Sequence, residues 1–312
     1  MKAVIVRHFG GPDVLEVAEV PEPRPERAQV RIRVVGAAVN RIDLSTRSGA
    51  LTAAGLLPPL PSTGLGWDVA GVVDEVGADV STFVEGDAVI GLRDVLSAPG
   101  AQAQWVVLDA AAVAAAPRSI PLVEAAALPL VGLTALESLD LSGVCRGDTL
   151  LVTGAAGGIG ALVVQLAARR GVRTVAVAGA KDEEAVRGYG ADEFISREGL
   201  TVLGADVRRI VPGGVDAAID AAVIGIAAHE ALRAGGTFVT LVRPFAPPPL
   251  RSTRVVVAES WADGTRLADL VALVDAGQLT PPTARTMPLD RVAEAHETFA
   301  AGGVRGRLVL VP

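Results

Sequence analysis

The eight residues TGAAGGIG, at positions 153–160, have a glycine spacing suited to binding phosphate groups. In a dinucleotide-binding turn, the first glycine makes a sharp bend, the second lets the pyrophosphate approach the backbone, and the third lets a helix pack closely on a strand. These places fall here on Ala155, Gly157 and Gly160. A helix that begins in this stretch would direct N–H groups at the phosphates. The stretch therefore predicts a cofactor-binding turn made by Ala155, Gly157, Gly158, Ile159 and Gly160.

The residues at the end of the next predicted strand select the cofactor. An NAD site usually has Asp or Glu there, about 20 residues after the first glycine, to bind the adenosine ribose hydroxyls. This chain has Ala178, Gly179 and Ala180, followed by Lys181. The missing carboxylate removes a repulsion against a 2′-phosphate, and Lys181 offers a countercharge, so NADPH is favoured over NADH. The alternative is that Lys181 is an ordinary solvated lysine, with Asp182 beside it weakening its field.

The sequence around the turn predicts the elements that position it. Residues 149–168 carry no charge and are long enough to suggest a membrane span, but four glycines between 154 and 160 split them into a short strand and a helix. Gly171 ends this helix, and RTVAVAG, at 173–179, forms the next strand. Pure apolar strands that alternate with helices from about Pro121 onward predict a doubly wound parallel sheet.

The first hundred or so residues have a different pattern. The segments KAVIVR, QVRIRVV, AGVVDEV and GDAVIGL are short, rich in Val and Ile, and separated by Gly, Pro or Asp. They predict a β-rich domain. The proline-rich segment 243–251 is expected to leave the parallel sheet, and an apolar helix and a last strand, GRLVLVP, close the chain. The fold class is therefore α/β with a second, β-rich domain.

Composition excludes several classes of function. Only 20% of the 312 residues are charged and half are hydrophobic, which argues against disorder. The net charge of −7 without a basic block, and 3% aromatic residues, give no support for a nucleic-acid or anionic-membrane partner. Cys145 is the single cysteine and the first residues do not have the pattern of a signal peptide, so we expect a cytoplasmic protein.

Motifs in a consistent order along the whole chain resemble the medium-chain dehydrogenase/reductase superfamily, and most of all its zinc-free quinone oxidoreductase branch. They are MKAVIVRHFGGPDVLEV, AAVNRIDLSTRSG, LPSTGLGWDVAGVVDEVG, EGDAVIGL, LPLVGLTALESL, VTGAAGGIGALVVQLA, YGAD and GGVRGRLVLVP. The resemblance implies a GroES-like catalytic domain, residues 1–118 with 263–312, and an inserted Rossmann domain, residues 119–262. It also implies a cofactor in the cleft between the domains and a homodimer joined through the edge of the Rossmann sheet.

The resemblance also predicts that no metal is bound. Where zinc-dependent relatives have a Cys, a His-Glu pair and a third ligand, this chain has Asn40, Trp67 with Asp68, and approximately Leu130. Asn, Trp and Leu do not make the tetrahedral nitrogen and sulfur site that zinc prefers. The cluster of four cysteines that holds a structural zinc is absent too. Trp67 either reshapes the substrate pocket or fills space in the core.

The family pattern assigns further cofactor contacts. Asn40 matches an asparagine beside the nicotinamide ring, and Thr134 matches a residue at the same part of the cofactor. Arg197 falls near the expected 2′-phosphate, so Lys181 and Arg197 are predicted to form an anion clamp. Lys181 is offset by one from the usual family lysine, whose place is taken by Asp182.

Other polar residues are assigned structural roles. His8, His229 and His296 converge on no motif and are expected at the surface or in packing. The carboxylates of Asp43 and Asp68 are either functional or, as we expect, hold loops through backbone N–H groups.

Two interpretations of function remain open. The first is an NADPH-dependent oxidoreductase that transfers hydride to a quinone or an α,β-unsaturated carbonyl without a metal. Its candidate catalytic residues are Asn40, which would position the nicotinamide or donate a hydrogen bond to the substrate oxygen, and Trp67 and Leu130, which would line an apolar pocket. The second is a catalytically silent nucleotide-binding protein of the same fold, regulatory or structural.

Overall fold

The structure is a computed structural model that describes residues 1–94, 99–200, 202–281, 285–302 and 306–312. These residues form two compact units. The first, here called the β unit, contains Met1–Leu130 and Trp261–Pro312, and the second, the nucleotide unit, contains Val131–Ser260. The predicted domain boundaries at 118/119 and 262/263 remain a prediction.

The elements up to residue 142 are mostly strands, and the last of them, a helix, belongs to the nucleotide unit from Val131 onward. In chain order they are β1 Lys2–Val6, β2 Glu16–Glu19, β3 Gln29–Ala38, α1 Arg41–Arg47, α2 Ala50–Ala53, β4 Thr63–Gly64, β5 Asp68–Val76, β6 Ala88–Leu92, β7 Trp105–Asp109, β8 Val113–Ala115, α3 Leu122–Ala125 and α4 Pro129–Ser142.

Strands and helices then alternate, as the sequence predicts. They are β9 Thr149–Thr153, α5 Gly158–Arg169, β10 Arg173–Ala178, α6 Glu183–Gly188, β11 Glu193–Ser196, α7 Leu203–Ile210, β12 Val215–Asp220, α8 Ile226–His229, β13 Leu232–Thr240 and β14 Arg254–Val257. The chain closes with α9 Gly264–Asp275, β15 Arg285–Pro288, α10 Val292–Ala301 and β16 Leu308–Val311.

The nucleotide unit is built on a parallel sheet with the strand order β11-β10-β9-β12-β13-β14. Counted from β9, this is the order 3-2-1-4-5-6 of a dinucleotide-binding fold. Every residue of β9 is buried, because both faces of a doubly wound sheet are covered by helices. The order reverses between β9 and β12, and ligands of such sheets bind at the carboxyl ends of the strands beside this reversal. The predicted α/β fold class is confirmed.

Two strands of this sheet, β11 and β14, were not predicted. The proline-rich segment 243–251 leaves the sheet as expected, but β14 then returns and pairs in parallel with β13 at the edge. The segment RVVV is only four residues long, and it follows prolines that argue against regular structure.

The β unit is organised around the long strand β3. This strand pairs antiparallel with β5 and β7, and the sheet order is β15-β16-β3-β5-β6-β8. Buried side chains alternate along the first half of β3, with Val30, Ile32 and Val34 in the core. The last strand of the chain, β16, pairs with the end of β3, so residues from both ends of the chain share one sheet. A smaller sheet has the order β2-β1-β4.

None of the helices in the described ranges is both long enough and apolar enough to cross a membrane. The uncharged run 149–168 instead divides into β9, a turn and α5, which confirms the predicted strand and helix.

Candidate functional site

The glycine-rich turn begins one residue earlier than its spacing predicts. Gly154 has a left-handed φ of +63°, and its carbonyl oxygen accepts a hydrogen bond of 2.9 Å from the Gly157 amide. Ala155 is fully buried, and its amide donates to the Val177 carbonyl of β10 at 3.0 Å. The sharp bend therefore lies at Gly154, a residue that the motif alignment passed over. A glycine directly after an apolar strand was the signal that could have found it.

Gly160 and Gly157 have the local geometry that a dinucleotide turn requires. A Cβ atom on Gly160 would lie 2.3 Å from the Gly154 oxygen and 2.9 Å from the Ala155 Cα, so only glycine lets α5 pack this closely on the end of β9. A Cβ on Gly157 would meet the Gly154 oxygen at 3.2 Å and no other described atom within 4 Å. The backbone at Gly157 can thus be approached closely by a ligand. The turn fits a pyrophosphate, with Gly158 and Ile159 in the first turn of α5 behind it.

The loop after β12 is fixed beside this turn by Asp220. The Asp220 carboxylate is fully buried and accepts hydrogen bonds from the Thr153 hydroxyl at 2.6 Å and from the amides of Ile224 and Gly225. The Thr153 hydroxyl in turn accepts from the Ala222 amide at 3.0 Å. Neighbouring strands β9 and β12 are therefore tied together at the point where the sheet order reverses.

The region of the predicted anion clamp contains a negative charge, Glu198, that the sequence did not indicate. Gly179 follows β10, and a Cβ there would lie 3.2 Å from Asp182 Oδ2, 3.4 Å from Glu198 Oε1 and 3.6 Å from Arg197 Nη2. Arg197 forms an ion pair of 3.4 Å with Glu198. Two carboxylates therefore lie next to this glycine: Asp182, which the sequence already placed beside Lys181, and Glu198, which the sequence did not indicate. Lys181 lies in the short turn 180–182 that follows Gly179.

In the β unit, Asn40 belongs to a buried polar network. Its Nδ2 donates to Asp68 Oδ2 at 2.7 Å and to the Ala38 carbonyl at 3.4 Å, and its Oδ1 accepts from Arg307. Arg307 also lies 3.6 Å from Asp68. Asn40, Asp68 and Arg307 are all at least nine-tenths buried. To donate to a substrate oxygen, Asn40 would have to exchange the longer bond to Ala38, so its proposed catalytic role remains a prediction.

The two buried aspartates hold loops through backbone N–H groups, as the sequence predicted. Asp43 accepts from the amides of Asn40 at 2.8 Å and Gly66 at 3.0 Å, and Asp68 accepts from the Leu130 amide at 2.6 Å. Burial raises the pKa of Asp43 to about 7 and also raises the pKa of Asp68, although Arg307 opposes the second shift. Burial lowers the pKa of Arg307, against the attraction of these carboxylates.

Trp67 and Leu130 border this network. The Trp67 side chain is 7% exposed, and the Arg93 guanidinium lies over its ring at 5.9 Å from the centroid. Burial lowers the pKa of Arg93 to about 10. Leu130 is half-buried and contributes its amide to Asp68. Thr134 is a buried residue of α4 in the nucleotide unit. The space-filling interpretation of Trp67 fits its burial, while its role in a substrate pocket stays a prediction.

His229 and His296 are packing residues. His229 is fully buried, with its Nε2 atom 2.8 Å from the Thr253 hydroxyl. His296 is fully buried too, with its Nδ1 atom 3.3 Å from Arg47 Nη1. Burial and the Arg47 charge lower the pKa of His296 to about 4. Within the described part of the chain, no three His, Cys, Asp or Glu residues come together in a group that could hold a metal ion.

The sheet order and the glycine turn define the class of the protein as a dinucleotide-binding protein of the Rossmann type, and comparison with known proteins gives its family. Residues 26–118 match the family described as the alcohol dehydrogenase GroES-like domain, and residues 189–310 match the family described as zinc-binding dehydrogenase.

Relatives match over the full length of the chain. A chloroplastic NADPH-dependent alkenal/one oxidoreductase of Arabidopsis thaliana is 32% identical over 100% of this chain and 80% of its own. The structure of the quinone oxidoreductase from Coxiella burnetii matches with a TM-score of 0.89 and 29% identity, over 100% of this chain and 99% of that one. A mycobacterial protein solved in complex with NADPH matches with a TM-score of 0.85 and 28% identity, over 100% of both chains. The chain belongs to the quinone oxidoreductase branch of the medium-chain dehydrogenase/reductase superfamily.

Proposed function

We propose that this oxidoreductase uses NADPH to reduce a quinone or an α,β-unsaturated carbonyl without a metal. The observation that carries the proposal is the turn at 154–160, where Gly160 holds α5 against the end of β9 and leaves the backbone of Gly157 open to a pyrophosphate. The names of the Arabidopsis and Coxiella relatives support the substrate class.

The fit of the cofactor's diphosphate follows from the turn itself. The amides of Gly158, Ile159 and Gly160 lie in the first turn of α5 and have no partner within the helix, so they can donate to phosphate oxygens. The aligned peptide dipoles of this twelve-residue helix favour an anion at the same end. When bound there, NADPH supplies the hydride, from C4 of its nicotinamide.

The preference for NADPH over NADH rests on Lys181 and Arg197. Both follow strands, β10 and β11, whose carboxyl ends are neighbours in the parallel sheet. A cation there favours a 2′-phosphate through a charge-assisted hydrogen bond. Arg197 is the better donor geometrically, because its planar guanidinium can bind two phosphate oxygens at once.

Metal independence rests on the side chains at the positions where zinc-dependent relatives have ligands. Asn40 and Asp68 are already bound to the buried guanidinium of Arg307, a fixed positive charge that would repel a dication. Residues 189–310, which match the zinc-binding dehydrogenase family, contain His229 and His296 but no cysteine, and both histidines are committed to packing contacts.

Without a metal, this protein is suited to reduce electron-poor hydride acceptors such as quinones and enones. A simple ketone needs its developing alkoxide stabilised by a Lewis acid or a strong donor. In a quinone or an enone, the incoming negative charge is delocalised onto a distant oxygen, which solvent or a neutral donor can stabilise. Asn40 is proposed as the residue that positions the reacting groups, held rigid by Asp68 and Arg307.

The cofactor preference can be tested by titrating NADPH and NADH into the wild type and the variant Lys181→Ala/Arg197→Ala. Loss of charge-assisted contacts to the 2′-phosphate should cost about 1.5–3 kcal/mol. The dissociation constant of NADPH should therefore rise by more than about tenfold, while that of NADH stays nearly unchanged. Equal weakening of the binding of both cofactors would show that these side chains do not recognise the 2′-phosphate.

Elemental analysis after dialysis should find no stoichiometric zinc, and stoichiometric zinc would refute metal independence.

A further inference from the structure

The residues that follow β10 and β11 lie side by side in the nucleotide unit. Ala178 is opposite Ser196 in the parallel pairing, and the Arg197 amide continues it by donating to the Ala178 carbonyl at 2.8 Å. This contact brings Glu198 next to the turn that begins at Gly179. In a sheet of this topology, the end of the strand after the glycine turn is where the adenosine ribose binds.

The Glu198 carboxylate is surrounded by donors. Its Oε2 atom accepts from the Ala180 amide at 2.8 Å and from the Ser196 hydroxyl at 2.6 Å, and its Oε1 atom lies 3.4 Å from Arg197 Nε. A backbone amide, a hydroxyl and a guanidinium are together the donor set that proteins use to bind a phosphate group. The hydrogen bonds from Ser196 and then Ala180 lower the pKa of Glu198 to about 2, so the group is an anion at any working pH.

The position of this carboxylate relative to Gly179 gives it a role in recognition. Glu198 Oε1 and Arg197 Nη2 would lie 3.4 and 3.6 Å from a Cβ on Gly179, so both groups border the backbone that the ribose approaches. A 2′-phosphate bound here would be repelled by the Glu198 carboxylate. It would also have to compete with that carboxylate for the donors of Ala180, Ser196 and Arg197. A 2′-hydroxyl meets a carboxylate that can accept its hydrogen bond.

We propose that Glu198 is a specificity-determining residue for the cofactor, an internal anion that competes with the 2′-phosphate for the donors of Ala180, Ser196 and Arg197. The proposal rests on the proposed function, since it concerns the same nucleotide site. It predicts that the chain favours NADPH by a smaller margin than Lys181 and Arg197 alone would give, and that NADH is also bound.

The test compares two small probes that do not depend on turnover, adenosine 2′,5′-bisphosphate and adenosine 5′-monophosphate, by isothermal titration calorimetry. Glu198→Gln removes the charge but keeps an oxygen that can accept from Ala180 and Ser196. Glu184→Gln is the matched control, because Glu184 is an exposed carboxylate on the neighbouring helix α6. Glu198→Lys, which reverses the charge, is the second variant.

The measured quantity is the ratio of the dissociation constant of the monophosphate to that of the bisphosphate. We expect this ratio to be at least about fivefold larger in Glu198→Gln than in the wild type, because the variant has one negative charge fewer beside the 2′-phosphate. Glu198→Lys should increase this ratio further, and Glu184→Gln should leave it within twofold. An unchanged ratio in Glu198→Gln and Glu198→Lys, an equal change in the control, or no binding of either probe to any variant would overturn the proposal. A shifted ratio in a protein that reduces no quinone or enone would refute the proposed function and leave this inference standing.

Discussion

Gly160→Ala tests whether the packing of α5 on β9 is what creates the cofactor site. The added methyl group would lie 2.3 Å from the Gly154 oxygen, 2.8 Å from the Gly154 carbonyl carbon and 2.9 Å from the Ala155 Cα, all of them backbone atoms. No side-chain rotation can relieve such contacts. The start of α5 must therefore retreat by about 1 Å to restore ordinary van der Waals distances.

Two effects follow from this displacement. Overpacking at a backbone contact costs about 1–3 kcal/mol, so the melting temperature should fall by several degrees. The amides of Gly158 and Ile159 move with the helix, and a misplacement of about 1 Å weakens a positioned contact strongly. We expect the dissociation constant of NADPH to rise at least tenfold, which corresponds to about 1.4 kcal/mol.

The assay is a fluorescence titration of NADPH together with a thermal melt, each with Gly213→Ala as the control. Gly213 is exposed, and a Cβ there would meet no described atom within 4 Å, so the control should leave both the affinity and the melting temperature unchanged. A Gly160→Ala variant that binds NADPH as tightly as the wild type would refute the assigned role of this turn.

Two further predictions concern buried charges in the β unit. Arg307→Met leaves Asp68 without its buried counterion, so the protein should lose about 3–5 kcal/mol of stability at pH 8. The loss should become smaller as the pH falls, because burial raises the pKa of Asp68 and so favours its neutral form. The control Arg27→Met, which breaks an exposed ion pair with Asp79, should change stability by less than about 1 kcal/mol in a urea titration. Burial and the Arg47 charge lower the pKa of His296 to about 4, so on acidification the unfolded chain binds this proton before the folded protein does. The free energy of unfolding should therefore fall as the pH drops from about 6.5 toward 4. The difference in unfolding free energy between the wild type and His296→Gln should change over this pH range, and a pH-independent difference would contradict the assignment.

Local patterns were sufficient to predict the central elements of the nucleotide unit but not its two edge strands, β11 and β14, nor all of the contacts. The apolar run before the turn, Gly171 and RTVAVAG predicted β9, α5 and β10, because period and punctuation are properties of neighbouring residues. Glu198 was missed because its approach to Gly179 depends on the parallel register of β10 and β11. Arg307 was missed because it reaches Asn40 from 267 residues away, through the pairing of β16 with β3. Asp43 and Asp68 were interpreted correctly as loop-holding residues, but nothing in their spacing indicated a buried guanidinium beside them.

The most direct test of the central claim is a comparison of initial rates with paired acceptors of similar size. Purified protein and NADPH should be assayed with a quinone and an enone, against a saturated ketone, and with NADP⁺ against a primary alcohol. We expect NADPH oxidation with the quinone or the enone, undiminished by a zinc chelator, and little reaction with the ketone or the alcohol. Efficient alcohol oxidation with no quinone or enone reduction would contradict it, and tight NADPH binding without turnover on any acceptor would favour the catalytically silent alternative.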